Sequence, residues 1–511
     1  MASQSTPTMS SPPPSPSDQS RPPSVDMRPL YVDLDGTLVQ TDTLHESILL
    51  LLRQQPWMLW WLLVWVWGGK AFFKRRLAER VSPDPAHWPY HPEFLPWLTA
   101  QHSQGRPLVL ATAADIRIAQ AVADHLGLFC AVLATNQTPQ DRDHRVNLSR
   151  EGKRQAIEAH ARQQGWAAYD YAGNSRDDEP VWAGARAAVA VNAPAAVIQR
   201  LRRAHPDALQ FDAARPSARD WTKALRLSQW AKNALLFVPL LAAHLTSLDA
   251  WLAVCLGFVA FGLCASATYL VNDLLDLPND RRHPHKRHRP LAAGRMPVSS
   301  AVLAAVVLLP LAFGLASWVS PGFLGMLVIY TLVTLAYSLY LKRIALLDVL
   351  VLSGLFTLRI LAGAVAAGVT VSNWLLAISL FLFFGLALVK RCAELEEVLI
   401  DAESDQARGR GYHQNDLPAL RAMGIASGFS TVLVLALYID SHNGRDLYPQ
   451  PEWLWGMVPL LLWWLMRLWL KTGRRQLHGE DPLQFALHDR FSWGVLLAFM
   501  VLGMLASWGG G

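Results

Sequence analysis

Charged residues are scarce in this chain. Asp, Glu, Lys and Arg make up 17% of its 511 residues, against about 25% in an average soluble protein. Hydrophobic residues reach 52%. Too little polar surface remains to coat the whole chain in water, which excludes an entirely soluble molecule. Cysteine is scarcer still. Cys130, Cys255, Cys264 and Cys392 are the four present, and none forms a CxxC pair or a His/Cys cluster. That excludes a structural zinc module and a disulfide framework, and leaves four reduced, packed thiols. Residues 1–27 lack the apolar core of a signal peptide. They are rich in Ser, Pro and Gln and read as a disordered tail. Acidic residues number 40 against 46 Lys and Arg, a net charge of +6. The surplus lies in short loops between apolar runs rather than in one basic patch, so no nucleic-acid partner is expected.

Tryptophan, in contrast, is abundant at 21 copies, and its amphipathic ring settles at membrane–water interfaces. After the tail, residues 28–200 alternate short apolar runs with polar helical stretches, as a soluble α/β domain does. Residues 201–232 form a basic linker and lead-in to the membrane. From 233 to 511, apolar segments recur with short polar gaps. A helix needs about 20 apolar residues to cross the bilayer. That length predicts about nine spans, near 233–248, 251–274, 299–318, 322–341, 344–368, 373–392, 421–440, 453–471 and 491–509. One alternating set of loops holds Arg281 to Arg295, Lys342 and Arg343, Lys390 to Arg410, and Lys471 to Arg490; the other holds a single basic residue, Arg445. This asymmetry predicts a multi-pass protein of the inner (plasma) membrane whose basic loops and N-terminal domain face the cytoplasm. Pro56 to Trp67 (PWMLWWLLVWVW) is too short to cross. With Lys70, Lys74, Arg75 and Arg76 behind it, it is either an interfacial helix or a buried cap helix.

Two stretches carry chemistry. The first is Pro29-Leu-Tyr-Val followed by Asp33-Leu-Asp35-Gly-Thr. A strand that delivers two carboxylates and then a glycine turn places both at its C-terminal edge, where open α/β sheets bind ligands. These residues resemble the haloacid dehalogenase superfamily, which implies a Rossmann-like α/β domain with a small helical cap. The resemblance makes Asp33 the nucleophile of a phosphatase and Asp35 its general acid/base. It makes Thr112, closing Pro107-Leu-Val-Leu-Ala-Thr, and Lys153 the phosphate ligands. In Tyr171-Ala-Gly-Asn-Ser-Arg-Asp-Asp it places Asn174 and Asp178 with Asp33 and Asp35 around Mg²⁺, with Asp177 as a substitute. Where the family usually has Asp, this chain has Asn174, which supplies an oxygen but no charge. A domain that regulates rather than hydrolyses is the alternative.

The second stretch runs from Asn272 to Gly294. Asp273, Asp276 and Asp280 recur at intervals of three and four, so a helix would put them on one face at the end of a span. Three like charges there call for a cation, and Mg²⁺ bridging to phosphate oxygens is the natural one. Lys286 and Arg289, which follow, can pair with phosphate directly. The pattern NDxxDxxxD followed by RPLAAG resembles the UbiA superfamily of intramembrane prenyltransferases, an all-α polytopic bundle, over roughly residues 221–510. Many members carry a second DxxxD; here Asp348 has no carboxylate four residues later, while Lys342, Arg359, Lys390 and Arg391 lie in or beside apolar spans. That surplus of cations, with DRRHPHKRHRPLAAG, LLDVLVLSGLFTLRILAGAVA, LVKRCAEL and DPLQFALHDR, most resembles the polyprenyl-phosphate phosphoribosyltransferase branch.

By that resemblance, Asp273, Asp276 and Asp280 hold Mg²⁺ on a donor diphosphate, Asp273 and Asp276 being the residues of the catalytic step. Asn272, Lys286, Arg289, Lys342, Arg359, Lys390 and Arg391 then bind substrate. The partners are a polyprenyl lipid, the membrane and a phosphorylated sugar, and the fused domain removes a phosphate from the product. The alternative is prenyl transfer from a prenyl diphosphate to an aromatic acceptor of the quinone or haem type. A homo-oligomer is compatible with either. The acidic loop with Glu480, Asp481 and Asp489 is either a cover for the site or a solvated loop.

Overall fold

Strand residues of the soluble region alternate between two apolar clusters. Leu30, Val32, Leu108 and Leu110 enter one, and Tyr31, Val109 and Ala111 enter the other. A sheet buried on both faces needs that period-two division of wholly apolar strands. The computed structural model describes residues 28–138, 147–212, 215–398, 411–477 and 482–508. The expected tail at 1–27, Glu480 and Asp481, and the end of the loop reaching Arg410 lie outside the described residues.

The chain forms two compact units: residues 1–47 with 58–213, and residues 48–57 with 214–511. The first contains six parallel strands: β1 (Leu30–Val32), β2 (Leu108–Asp115), β3 (Ala131–Thr135), β4 (Asp170–Gly173), β5 (Ala188–Val191) and β6 (Leu209–Phe211). Their spatial order is β3-β2-β1-β4-β5-β6. The chain winds one way from β1 to β3 and the other way from β4 to β6, so the switch point lies between β1 and β4. Because β6 belongs to this sheet, the soluble unit reaches past residue 200 into the stretch read as linker. Three of its helices matter below: α1 (Leu59–Trp67), α2 (Lys70–Ala78) and α3 (Arg150–Gln163).

The second unit is helical. Among the described residues, eight helices, not nine, are long and apolar enough to cross a membrane. In chain order they are α4 (Leu248–Leu275), α6 (Val298–Val319), α7 (Pro321–Leu339), α8 (Leu347–Ala367), α9 (Asn373–Val398), α10 (Leu417–Asp440), α11 (Met457–Gly473) and α12 (Arg490–Ser507), with the short α5 (Leu277–Arg282) after α4. The first expected span, 233–248, is absent as such. In its place an 11-residue 3₁₀ helix, Leu227–Phe237, runs into five residues of α-helix, Val238–Ala242. Pro239 lacks an N–H for a continuous helix, and polar Lys232 and Asn233 are buried within the 3₁₀ segment.

That segment is held against α8 by a close approach at Gly363. A Cβ built there would lie 2.0 Å from the Leu236 carbonyl oxygen. Only hydrogen at this position lets the two backbones meet. Gly354, on the same helix, has nothing within 4 Å of such a Cβ. Overpacking costs about 1–3 kcal/mol. Gly363→Ala should therefore lower the thermal unfolding midpoint of the full chain in detergent by several degrees, while Gly354→Ala leaves it unchanged or slightly raised. Equal midpoints for the two variants would contradict the close-packed contact.

Candidate active sites

The soluble site grows from the end of β1. Its neighbours β2 and β4 flank it on both sides, and the Asp33 N–H donates to the Ala172 carbonyl at 2.9 Å. The chain then turns at Gly36, whose φ is +71°. A Cβ there would lie 2.0 Å from Asn174 Nδ2, so glycine serves both the turn and the approach of the β4 loop. Asp35 Oδ1 accepts the Thr43 N–H at 2.7 Å. Thr112 is buried near the end of β2, where its hydroxyl accepts the Ala114 N–H at 3.1 Å.

Lys153, in the first turn of α3, is buried. Its Nζ donates to Asp33 Oδ1 at 2.9 Å, to Asp178 Oδ1 at 3.2 Å and to the Tyr171 hydroxyl at 3.0 Å. Tyr171 in turn donates to Asp178 Oδ1 at 2.6 Å. The other oxygen of Asp178 accepts the N–H groups of Asn174 and Ser175 and the Ser175 hydroxyl. Asp177 faces away and pairs with Arg150 at 2.8 Å, so Asp178 is the carboxylate of the site. Asp33, Lys153 and Asp178 thus meet directly, with Asp35, Thr112 and Asn174 at the same sheet edge.

Burial raises Asp33 to about 6 against the opposing pull of Lys153, and raises Asp35 to about 7 with Asp42 adding to the effect. Asp178 is buried too, yet Lys153 and the Tyr171 hydroxyl hold it below its ordinary value. Lys153 lies above its ordinary value because Asp178 and Asp33 outweigh desolvation. Asp35, pushed up by burial, and Asp178, held down by Lys153, are driven apart in proton affinity, as expected of carboxylates with divided roles.

Lys74 was missed at the level of sequence, where it merged with Arg75 and Arg76 into one basic cluster. Helical spacing separates them. Arg75 and Arg76 pair with Glu79 on the exposed side, while Lys74 Nζ donates to the Ala113 carbonyl at 2.6 Å and to Asn147 Oδ1 at 2.9 Å. It lies next to the strand end that carries Thr112, and burial lowers its pKa.

The membrane unit encloses a cavity of about 440 Å³. Asn272, Asp276, Asp280, Lys286, Arg289, Lys342, Arg359, Lys390 and Arg391 all line it. The three aspartates do not share one unbroken helix face. Asp276 interrupts the helix between α4 and α5. Nor are they uncompensated. Asp273 pairs with Arg226 and, at 3.2 Å, with Arg289; Asp280 pairs with Arg289 at 2.6 Å; Asp276 pairs with Lys342 at 2.7 Å. The chain's own Arg and Lys thus stand opposite each of the three carboxylates. Arg226, which the sequence did not single out, is one of them.

Deeper cations differ in role. Arg359 is buried, donates to Asn233 Oδ1 and the Tyr330 hydroxyl, and lies 4.9 Å from the Tyr330 ring centroid. These partners are neutral, so its charge is available to an anion in the cavity. Arg391 is fixed by Asp348 at 2.6 Å, by Glu394 and by the Tyr337 hydroxyl. Asp348 also accepts the Tyr412 hydroxyl. The lone Asp348 is therefore the partner of Arg391 rather than half of a second acidic motif.

Among the described residues, no three His, Cys, Asp or Glu side chains converge as a ready metal cage. The donors at both sites are carboxylate or amide oxygens, which suit a hard cation such as Mg²⁺. Asp33 and Asp35 bind protons more tightly folded than unfolded. Between the ordinary 3.8 and folded values of about 6 and 7, stability falls as pH rises, because the folded state holds the extra protons. With chelator present, the urea midpoint of the soluble unit in the full chain, read by limited proteolysis, should drop from about pH 4.5 to about pH 7. Asp35→Asn should flatten that drop, and Mg²⁺ at neutral pH should raise the wild-type midpoint.

Comparison with known proteins gives the families of both regions. The UbiA prenyltransferase family matches residues 234–488, and the haloacid dehalogenase-like hydrolase family matches residues 30–182. A Sinorhizobium fredii protein described as uncharacterized protein y4nM is 37% identical over 477 residues, 92% of this chain and 90% of that one. The decaprenyl-phosphate phosphoribosyltransferase of Corynebacterium glutamicum is 40% identical over 292 residues, 56% of this chain and 85% of that one. A solved UbiA homolog from Archaeoglobus fulgidus bound to DMAPP and Mg²⁺ aligns with a TM-score of 0.40 at 16% identity, over 55% of this chain and 99% of that one. The chain belongs to the UbiA prenyltransferase family and carries a haloacid dehalogenase-like hydrolase domain ahead of its membrane helices.

Proposed function

We propose that the membrane unit transfers phosphoribose from phosphoribosyl diphosphate to a polyprenyl phosphate, and that the soluble unit hydrolyses the 5-phosphate of the product. One observation carries the choice of donor. Eight Lys and Arg side chains line the cavity against three acidic ones, Asp276, Asp280 and Glu394. A donor with three phosphate groups and an acceptor with a fourth would match that surplus; a prenyl diphosphate with a neutral aromatic acceptor would leave most of it unpaired. The name of the Corynebacterium glutamicum relative supports the same reading.

In the transfer, an oxygen of the lipid phosphate bonds to the anomeric carbon of the ribose while the bond from that carbon to pyrophosphate breaks. Arg226, Arg289 and Lys342 stand where negative charge gathers on the leaving group. Arg359 is placed for a phosphate held deeper. Arg391, fully engaged by Asp348 and Glu394, positions the wall rather than the substrate. Asp273, Asp276 and Asp280 would hold Mg²⁺, whose charge would offset that of the diphosphate. In the soluble unit Asp33 attacks the phosphorus, Asp35 gives its proton to the leaving oxygen, and water then attacks the phosphoenzyme with Asp35 as base. Thr112 and Lys153 hold the phosphate, and Asp33, Asp35, Asn174 and Asp178 would hold Mg²⁺. Both sites work at the cytoplasmic side of the inner membrane, with tethering to keep the second reaction close to the first.

Membranes containing the protein should consume labelled phosphoribosyl diphosphate in the presence of polyprenyl phosphate. Consumption of prenyl diphosphate with an aromatic acceptor instead would replace this reading. Asp276→Asn should lower transfer by on the order of 100-fold, as loss of one charge-stabilising group does. Asp33→Asn should leave transfer intact and abolish release of inorganic phosphate from the lipid product. Undiminished phosphate release by that variant would exclude the sequential scheme.

A further inference from the structure

The soluble unit exposes an apolar helix that no part of the described protein covers. From Met58 into α1, Met58, Leu62 and Trp65 pack inward on one face. The opposite face has no polar residue. Trp67 is 92% exposed and Trp60 73%, with Val66 and Trp61 also more than half exposed. A helix that is apolar all round is normally buried all round. The sequence left open a cap helix or an interfacial helix. One face caps the domain, and the other meets no protein among the described residues.

We infer that this face lies in the headgroup region of the bilayer surface that the chain's own spans inhabit, with anionic lipids bound by the basic residues behind it. Three observations favour lipid as the occupant. The segment is 12 residues, about 18 Å of helix, too short to cross about 30 Å of hydrocarbon, and it is built on Trp, the residue that settles at the interface. Besides the inward Lys74, four basic residues, Lys70, Arg75, Arg76 and Arg80, follow against one acidic residue, Glu79, which complements anionic headgroups and opposes pairing with a second copy of itself. Eight potential membrane-spanning helices in the same chain make a bilayer a permanent neighbour at high effective concentration.

The docking itself is independent of any reaction. Its consequence rests on the phosphatase reading above and names the substrate class: a phosphate carried on a lipid. The α1–α2 hairpin turns at Gly68 and Gly69, and Arg80 at its far end packs 4.8 Å from the Trp65 ring, closing it as one piece. Seven residues past Trp67 on that piece, Lys74 reaches the Ala113 carbonyl beside Thr112. Seating the Trp face in the headgroups therefore brings the phosphate-binding end of β2 to lipid-borne phosphates.

The test uses the full chain in lipid nanodiscs of mixed phosphatidylcholine and phosphatidylglycerol. Cys130 and Cys255 are replaced by Ser, and Trp67→Cys carries an environment-sensitive fluorophore; Gln120→Cys, exposed on the helix Ile116–Leu126, serves as reference. Brominated phosphatidylcholine should quench the label at 67 several-fold more than the label at 120. Equal quenching overturns the proposal, and so does energy transfer between labels on separate copies without lipid quenching, which would assign the face to self-association. A second arm reads the consequence. Trp60→Gln with Trp67→Gln should leave hydrolysis of a soluble phosphomonoester unchanged and raise the half-saturating concentration of vesicle-borne polyprenyl phosphate ester about tenfold. An unchanged half-saturation overturns the link to lipid substrate. Absence of phosphatase activity with strong quenching at 67 would sink the phosphatase reading alone.

Discussion

Asp33, Asp178, Asp273, Asp276 and Asp280 are held largely out of bulk water, and each is met by a cation from the same chain. Removing two charges from water costs several kcal/mol per ion unless they find each other. Lys153 answers Asp33 and Asp178 in the soluble unit. Arg226, Arg289 and Lys342 answer the aspartates at the end of α4 and in α5. On the function proposed above, both arrangements would hold a phosphate site in shape. A phosphate would compete with carboxylate for the same cations, and a divalent metal would compete with the cations for the same carboxylates. The ion pairs thus bring together the two kinds of group that a metal–phosphate complex would require.

Much of this was legible in the sequence where a short motif coincides with one structural event. Asp33-Leu-Asp35-Gly states a strand end, a turn and two carboxylates in four residues, and the turn at Gly36 realises them together. The cavity's Lys342 and Arg359 could be picked out because a charge inside an apolar run stands out against its surroundings. Less legible were contacts between distant stretches. Arg226 precedes the membrane segments by sequence and looked like one more linker cation, yet it reaches Asp273, 47 positions on. Asp348 was read for a missing carboxylate partner along its own helix, when its partner, Arg391, comes from the next helix.

Periodicity misled in two places for physical reasons. The three–four spacing of Asp273, Asp276 and Asp280 fits one helix face, but α4 ends at Leu275 and Asp276 takes a non-helical conformation; Pro278 at the start of α5 favours that break. The short first span dissolved into a 3₁₀ segment because buried Lys232 and Asn233 and the ring of Pro239 all oppose a continuous apolar α-helix. That irregular segment supplies the Asn233 amide that orients Arg359, so the departure from regular helix lies where the cavity needs it.

The cluster around Asp348 also bears on how distant stretches of the chain are joined. Arg391 approaches it from near the end of α9, and Tyr412 approaches it from a stretch of chain about twenty residues further on. Both therefore end on the same carboxylate, so one side chain fastens two stretches that the sequence keeps apart. A neutral residue there would deprive a buried guanidinium and a buried phenol of their shared acceptor in one step.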